Sequence, residues 1–226
     1  MLHNISFILP HNKVTAIVGL SGSGKTTLLK LLLGYDKLCE GNIMVGNQNL
    51  ADINIEEWRK KCGVVMQDGY IFSNTIENNI AVSDDAVIED IRMKDVVKQA
   101  CIDDAIYNSP RQFKTKIGKD GRGLSKGQKQ RILISRVIYK NPQYIFLDEA
   151  TNSLDSHTEK IITDNLQAFF KNKTVMVIAH RMSTIKNADN IIVLDKGKIV
   201  ESGCHKDLMA RKGKYYELVN NQIGTE

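Results

Sequence analysis

The chain has 226 residues, 42% of them apolar and 25% charged, with a formal net charge of +5. These proportions suit one folded domain and exclude a disordered chain, and no apolar run approaches the ~20 residues that a membrane-spanning helix needs. The lysines are scattered, without interleaved aromatics, so a solvated basic surface is expected and no nucleic-acid partner.

Taken in chain order, Lys13 to Val18 is a β-rich run bounded by a glycine loop, and Thr26 to Leu33 carries helix formers with Gly34 as their stop. Gly41 to Val45 and Cys62 to Met66 read as short strands, with a polar helical stretch from Ile55 to Lys61 between them. Beyond Gly69 the β-branched runs thin out, and Asp84 to Ala105 spaces its apolar residues at helical intervals. A mostly helical subdomain over about 69–140 is predicted. Strand character returns at Tyr144 to Asp148, Thr174 to Ala179 and Asn190 to Leu194, with a helical segment from His157 to Lys171. Lys196-Gly197-Lys198 turns into a hairpin strand at Ile199 to Glu201, and His205 to Gln222 reads as helical. Strands alternating with helices predict an α/β domain over 1–226 with a mostly parallel sheet and a small antiparallel β part. Cys39, Cys62, Cys101 and Cys204 lack the C-x-x-C spacing of zinc or dithiol sites and read as reduced thiols. The N-terminus lacks a signal-peptide pattern, so any membrane role comes through a partner.

The chemistry starts with Gly19-Leu20-Ser21-Gly22-Ser23-Gly24-Lys25-Thr26, which satisfies G-x-x-x-x-G-K-[ST] between an apolar strand and a helix. Backbone N–H groups of Gly19, Ser21, Gly22, Ser23 and Gly24 can wrap phosphates because no side chain intervenes, and a helix N-terminus favours the anion. Lys25 is expected to reach the β- and γ-phosphates, the Thr26 hydroxyl to hold Mg²⁺, and Thr27 to complete the site. The bland reading is a glycine turn before a helix. Tyr144-Ile145-Phe146-Leu147-Asp148-Glu149 is an apolar strand ending in two acids: Asp148 fits an acid that helps hold Mg²⁺, and Glu149 could polarise an attacking water. The bland reading of two acids at a strand end is that they cap the next helix.

Leu124-Ser125-Lys126-Gly127-Gln128, continued by Lys129-Gln130-Arg131, resembles the signature sequence of ATP-binding cassette (ABC) proteins. Other marks of that family follow the expected order: Gln67 after Val64-Val65-Met66, Ser153-Leu154-Asp155 past the acidic pair, and His180 after Val175 to Ala179. The resemblance covers about Leu2 to Tyr216. It implies a P-loop NTPase core with a helical subdomain, binding ATP and Mg²⁺, and a dimer in which each ATP lies between one phosphate loop and the other chain's signature segment. Ser125, Gly127 and Gln128 would then meet the γ-phosphate bound by the partner. His180 would contact the γ-phosphate and orient water, Gln67 would sense Mg²⁺ and the nucleophilic water, and Asp155 would couple the two sites.

Asp68 to Ile80 resembles the segment that meets intracellular helices of a transmembrane domain in exporters, and Thr115 to Gly121 resembles the exporter loop before the signature. The chain departs from the family at Lys119, where glutamate is common and Asp120 could compensate, and at Lys126, which replaces a glycine. In exporters an aromatic that stacks on adenine precedes a segment like Leu2-His3-Asn4-Ile5-Ser6-Phe7. Two alternatives follow: a membrane domain and the stacking residue lie upstream in a longer exporter, or adenine is held otherwise. The expected role is the motor of an exporter at the cytoplasmic face of a membrane, joined to a second such domain and to a transmembrane domain, fused or separate. A soluble cassette ATPase acting on nucleic acid or ribosomes is the alternative, although it usually carries two cassettes or coiled-coil insertions. A third, a non-hydrolysing regulatory module, is opposed by the intact Lys25, Glu149 and His180.

Overall fold

The computed structural model describes residues 2–82, 89–119, 121, 123–179 and 181–223. The elements in order are β1 (Val14–Val18), α1 (Lys25–Leu32), β2 (Met44–Val45), β3 (Gln48–Asn49), α2 (Ile55–Lys61), β4 (Cys62–Val65), β5 (Asn74–Thr75), α3 (Ile76–Ala81), α4 (Asp90–Gln99) and α5 (Asp103–Tyr107). There follow β6 (Lys116–Ile117), α6 (Lys126–Lys140), β7 (Tyr144–Asp148), α7 (Ser156–Phe169), β8 (Thr174–Ile178), α8 (Met182–Lys186), β9 (Asn190–Asp195), β10 (Lys198–Gly203), α9 (His205–Arg211) and α10 (Lys214–Ile223). They form two compact units, one of residues 1–63, 143–148 and 172–226, the other of 64–142 and 149–171.

The first unit is built on a sheet ordered β10-β9-β1-β8-β7, with β4, whose first two residues belong to this unit, last in the order. β1 runs parallel to both β8 and β9, β7 runs parallel to β8, and β10 returns antiparallel on β9 as the hairpin reading expects. Ala16, Ile17, Ile145, Val175, Met176, Ile191, Val193 and Leu194 are wholly buried. Consecutive rather than alternating burial is what a parallel sheet covered on both faces requires. Asp189 pins the entry to β1, accepting the Val14 N–H and the Lys13 ammonium at 2.9 Å each. The end of α1 is closed by α2: Trp58 donates to Leu32 O at 2.9 Å and Arg59 to Leu33 O and Gly34 O at 3.1 and 2.8 Å. These side chains satisfy carbonyls that a helix C-terminus leaves without intrahelical partners. Asn54 starts α2 by accepting the Glu56 and Glu57 N–H groups.

The second unit is mostly helical, with α6 packed on α3 and α4 and one short antiparallel pair, β5 with β6. The helical reading over Asp84 to Ala105 resolves into two helices, because the chain leaves the helix at Ala100 and Cys101 takes a left-handed conformation, φ 52°. Of that reading, residues 84–88 lie outside the described residues. The helical tail is likewise interrupted at Lys212, φ 52°, and Gly213. Buried Asn79 organises the 72–79 turn: its carbonyl accepts the Phe72 N–H at 2.8 Å and its amide donates to Phe72 O and Thr75 O at 3.0 Å each.

Candidate functional site

In the first unit β1 ends directly in the glycine loop. Gly19 at φ 156° leaves no room for a Cβ, which would collide with the Leu194 carbonyl and stand 2.8 Å from Ser23 Oγ. Gly22, φ 78°, and Gly24, φ 105°, adopt backbone that other residues rarely tolerate, and Gly24 is the residue from which α1 starts. The loop curls round the buried Lys25, whose ammonium donates to Gly19 O at 2.8 Å and Leu20 O at 3.0 Å. Ser21 and Thr27 are exposed on either side, while Ser23 is buried with its Oγ lacking a partner among the described residues. Such a curl at the mouth of an α-helix is an anion cradle.

β7 delivers Asp148, 1% exposed, to the start of that helix, where its Oδ2 accepts the Thr26 hydroxyl at 2.9 Å. A hydroxyl and a carboxylate are hard oxygen donors of the kind magnesium takes alongside phosphate oxygens. Among the described residues no group of three His, Cys, Asp or Glu gathers to hold a metal by itself.

The second unit carries the remaining predicted residues. Gln67 is exposed just beyond β4. Ser125 caps α6 in a reciprocal box: its Oγ accepts the Gln128 N–H at 3.1 Å, and Gln128 Oε1 accepts the Ser125 N–H at 3.0 Å. Gly127 packs so closely on the 149–155 segment that a Cβ there would stand 3.0 Å from Ser153 O. Lys126 is exposed in the first turn of α6, which carries no acid. Glu149 is left-handed, φ 51°, and its Oε2 accepts Asn152 Nδ2 at 2.7 Å. Asp155 caps α7, and the Thr158 N–H that it accepts, with the Thr158 side chain, holds its carboxyl below the usual range. His180 and Asp120 lie outside the described residues.

Sequence reasoning passed over three side chains of this unit. Gln130 donates to Glu149 O and accepts from Ser153 N, 3.0 Å each. Asn152 holds the Glu149 carboxylate. Arg136 lies over the Phe72 ring, 5.3 Å from its centre, and donates to Asn79 O at 2.8 Å and Tyr70 O at 3.2 Å; burial pushes its guanidinium down to about 10. Their partners are mostly backbone groups, which leave no mark in a motif.

Residues 2–152 match the family described as ABC transporter. The chain is 44% identical over 224 residues to the mitochondrial iron-sulfur clusters transporter ABCB7 of Danio rerio, covering 98% of this chain and 30% of that protein. It is 40% identical to the ATP-dependent lipid A-core flippase of Syntrophus aciditrophicus, covering 96% of this chain and 36% of that one. The solved structure of a bacterial Atm1-family ABC exporter with ATP bound superposes with a TM-score of 0.93 at 38% identity, over 98% of this chain and 39% of that chain. The chain thus spans about a third of the length of these relatives. No helix among the described residues is long and apolar enough to cross a membrane. A phosphate cradle on a parallel sheet, a capped signature helix and these relatives together place the chain in the ABC transporter family, as an ATP-binding domain of the exporter type.

Proposed function

We propose that the chain is the Mg²⁺-dependent ATP-hydrolysing motor of an exporter and that it works as a head-to-tail pair with a second such domain. The observation that carries this reading is the hydrogen bond from Thr26 to Asp148, which brings the helix mouth behind the phosphate loop onto the acid ending β7. Lys25 and the loop N–H groups bind the β- and γ-phosphates, and Thr26 with Asp148 would hold Mg²⁺. The ion supplies charge neutralisation to the phosphate oxygens when bound. Glu149 takes the proton of the attacking water. Gln67 and His180 keep the roles that the resemblance implies, sensing and orienting that water. Ser125 and Gly127, at the start of α6, serve the γ-phosphate bound by the partner, and Asp155 answers to the opposite site. Exposed Tyr70 and Phe72, edge to face at 5.2 Å, support a reading in which this aromatic surface meets a transmembrane domain, with the motor on the cytoplasmic side of a membrane. The relatives' names carry different cargos, iron-sulfur clusters and lipid A-core, and the reading for this chain is the motor alone.

The test is phosphate release by the purified chain at millimolar ATP with and without Mg²⁺. Activity that requires Mg²⁺ and disappears in Lys25→Ala is expected, because the lost ammonium leaves phosphate charge uncompensated. Unchanged turnover in that variant overturns the assignment.

A further inference from the structure

Gln130 stands in the second turn of α6, the helix that Ser125 caps, and is 8% exposed. Its side-chain amide holds both ends of one short segment, donating to Glu149 O and accepting the Ser153 N–H. An amide side chain carries that donor and that acceptor on two separate atoms, so one residue holds both backbone groups. The segment needs holding: Glu149 sits in the left-handed region, which a residue other than glycine keeps only when its surroundings over-determine it. The same helix touches the segment a second time, where the missing Cβ of Gly127 lets α6 lie against Ser153 O. Asn152, inside the segment, ties the Glu149 carboxylate to it. The start of α6 and the backbone of Glu149 therefore form one hydrogen-bonded body within the second unit.

Resting on the ATPase reading above, we infer that Gln130 is a positioning residue that couples the two nucleotide sites of the dimer through a single chain. The signature end of α6 responds to the phosphate bound by the partner, whereas Glu149 serves the phosphate bound by its own chain. A displacement of α6 on engaging the partner's nucleotide moves the Gln130 amide, and with it the Glu149 carbonyl and the turn that orients the carboxylate. Each site is thereby made competent by occupation of the other, a coupling between two sites through one identified element.

The test uses Gln130→Leu, which keeps the bulk and removes donor and acceptor, and Gln130→Glu, which keeps an acceptor for Ser153 and removes the donor to Glu149. Rates are measured across ATP concentrations with Mg²⁺. The parent should show a sigmoidal dependence on ATP. Both variants should lose the sigmoid, with kcat falling by up to about 10²-fold, as small misplacements of a reacting group do. KM should stay within about twofold, since nucleotide is bound elsewhere. In the Glu149→Gln background, ATP should still join the Gln130→Leu chains into dimers, which a misshapen signature helix would not permit. If Gln130→Leu does not give a cooperative melt, the isosteric Gln130→Glu carries the test. Parent kcat and sigmoid in Gln130→Glu overturn the inference, as does loss of dimerisation together with hydrolysis. A parent that hydrolyses no ATP overturns the ATPase reading and the inference with it.

Discussion

The Thr26 hydroxyl donates to Asp148 Oδ2 at 2.9 Å across 122 positions of sequence, and the carboxylate that it meets is buried. Thr26→Val removes one donor to that carboxylate, so the variant should lose about 2 kcal/mol in urea unfolding, as hydrogen bonds to charged groups do. Asp148→Asn should abolish the stimulation of hydrolysis by Mg²⁺ while leaving the chain folded. Full stimulation in Asp148→Asn would contradict the assignment.

If Glu149 polarises water while Ser125 grips the phosphate of the opposite site, Glu149→Gln should bind ATP and stall. Ligand bound only at the joined interface favours the joined state by mass action. Light scattering should therefore show Glu149→Gln passing from monomer to dimer with millimolar ATP. Adding Ser125→Arg should cancel the shift, because a bulky cation replaces the hydroxyl at the capped start of α6. A Glu149→Gln chain that stays monomeric at saturating ATP, or turns over at the parent rate, contradicts the shared-site mechanism.

Thr15, in the middle of β1 between Met176 of β8 and Asn190 of β9, is wholly buried, and its Oγ1 has no partner among the described residues. A buried hydroxyl without a partner costs about 1–3 kcal/mol, and Thr15→Val replaces it with a methyl of similar size. The variant should unfold at higher urea with an unchanged slope. A lower midpoint would show that the hydroxyl is satisfied in solution.

His205 Nδ1 lies 2.7 Å from the hydroxyl of buried Tyr215, and burial, then the charge of Lys186, pulls the imidazole below its ordinary value of 6.5. Below pH 6.5 the unfolded chain therefore binds the proton that the folded chain resists, so this group costs stability as pH falls through that value. His205→Gln cannot charge. The stability difference between parent and His205→Gln should shift against the parent on acidification from pH 7.5 to about 5.5. A difference that is flat with pH would mean that the ring titrates alike folded and unfolded.

How much was legible depended on whether a feature is written contiguously. The phosphate loop and the strand that ends in Asp148 stand in single runs, and periodicity located α2 at Ile55–Lys61 and β7 at Tyr144–Asp148. Pairing is not written that way: nothing in Val14–Val18 says that its neighbours are β8 and β9. The two-residue strands β3, β5 and β6 are too short to show a period. The grip of Gln130 was illegible for a related reason, since its partners are backbone groups 19 and 23 residues away and any residue there would present them.

The central place of β1 has a consequence for how the chain is made. Its register partners on β9 come late, with Val18 opposite Val193. At ~5–20 residues per second of synthesis, the strand that carries the phosphate loop waits roughly 10 to 35 s for its neighbours. Through that interval Thr15-Ala16-Ile17-Val18 is an unpaired apolar edge on a nascent chain, exposed to wrong partners. Chains cut short before β9 should therefore associate with chaperones or aggregate, and the nucleotide cradle should form only after β9 has left the ribosome.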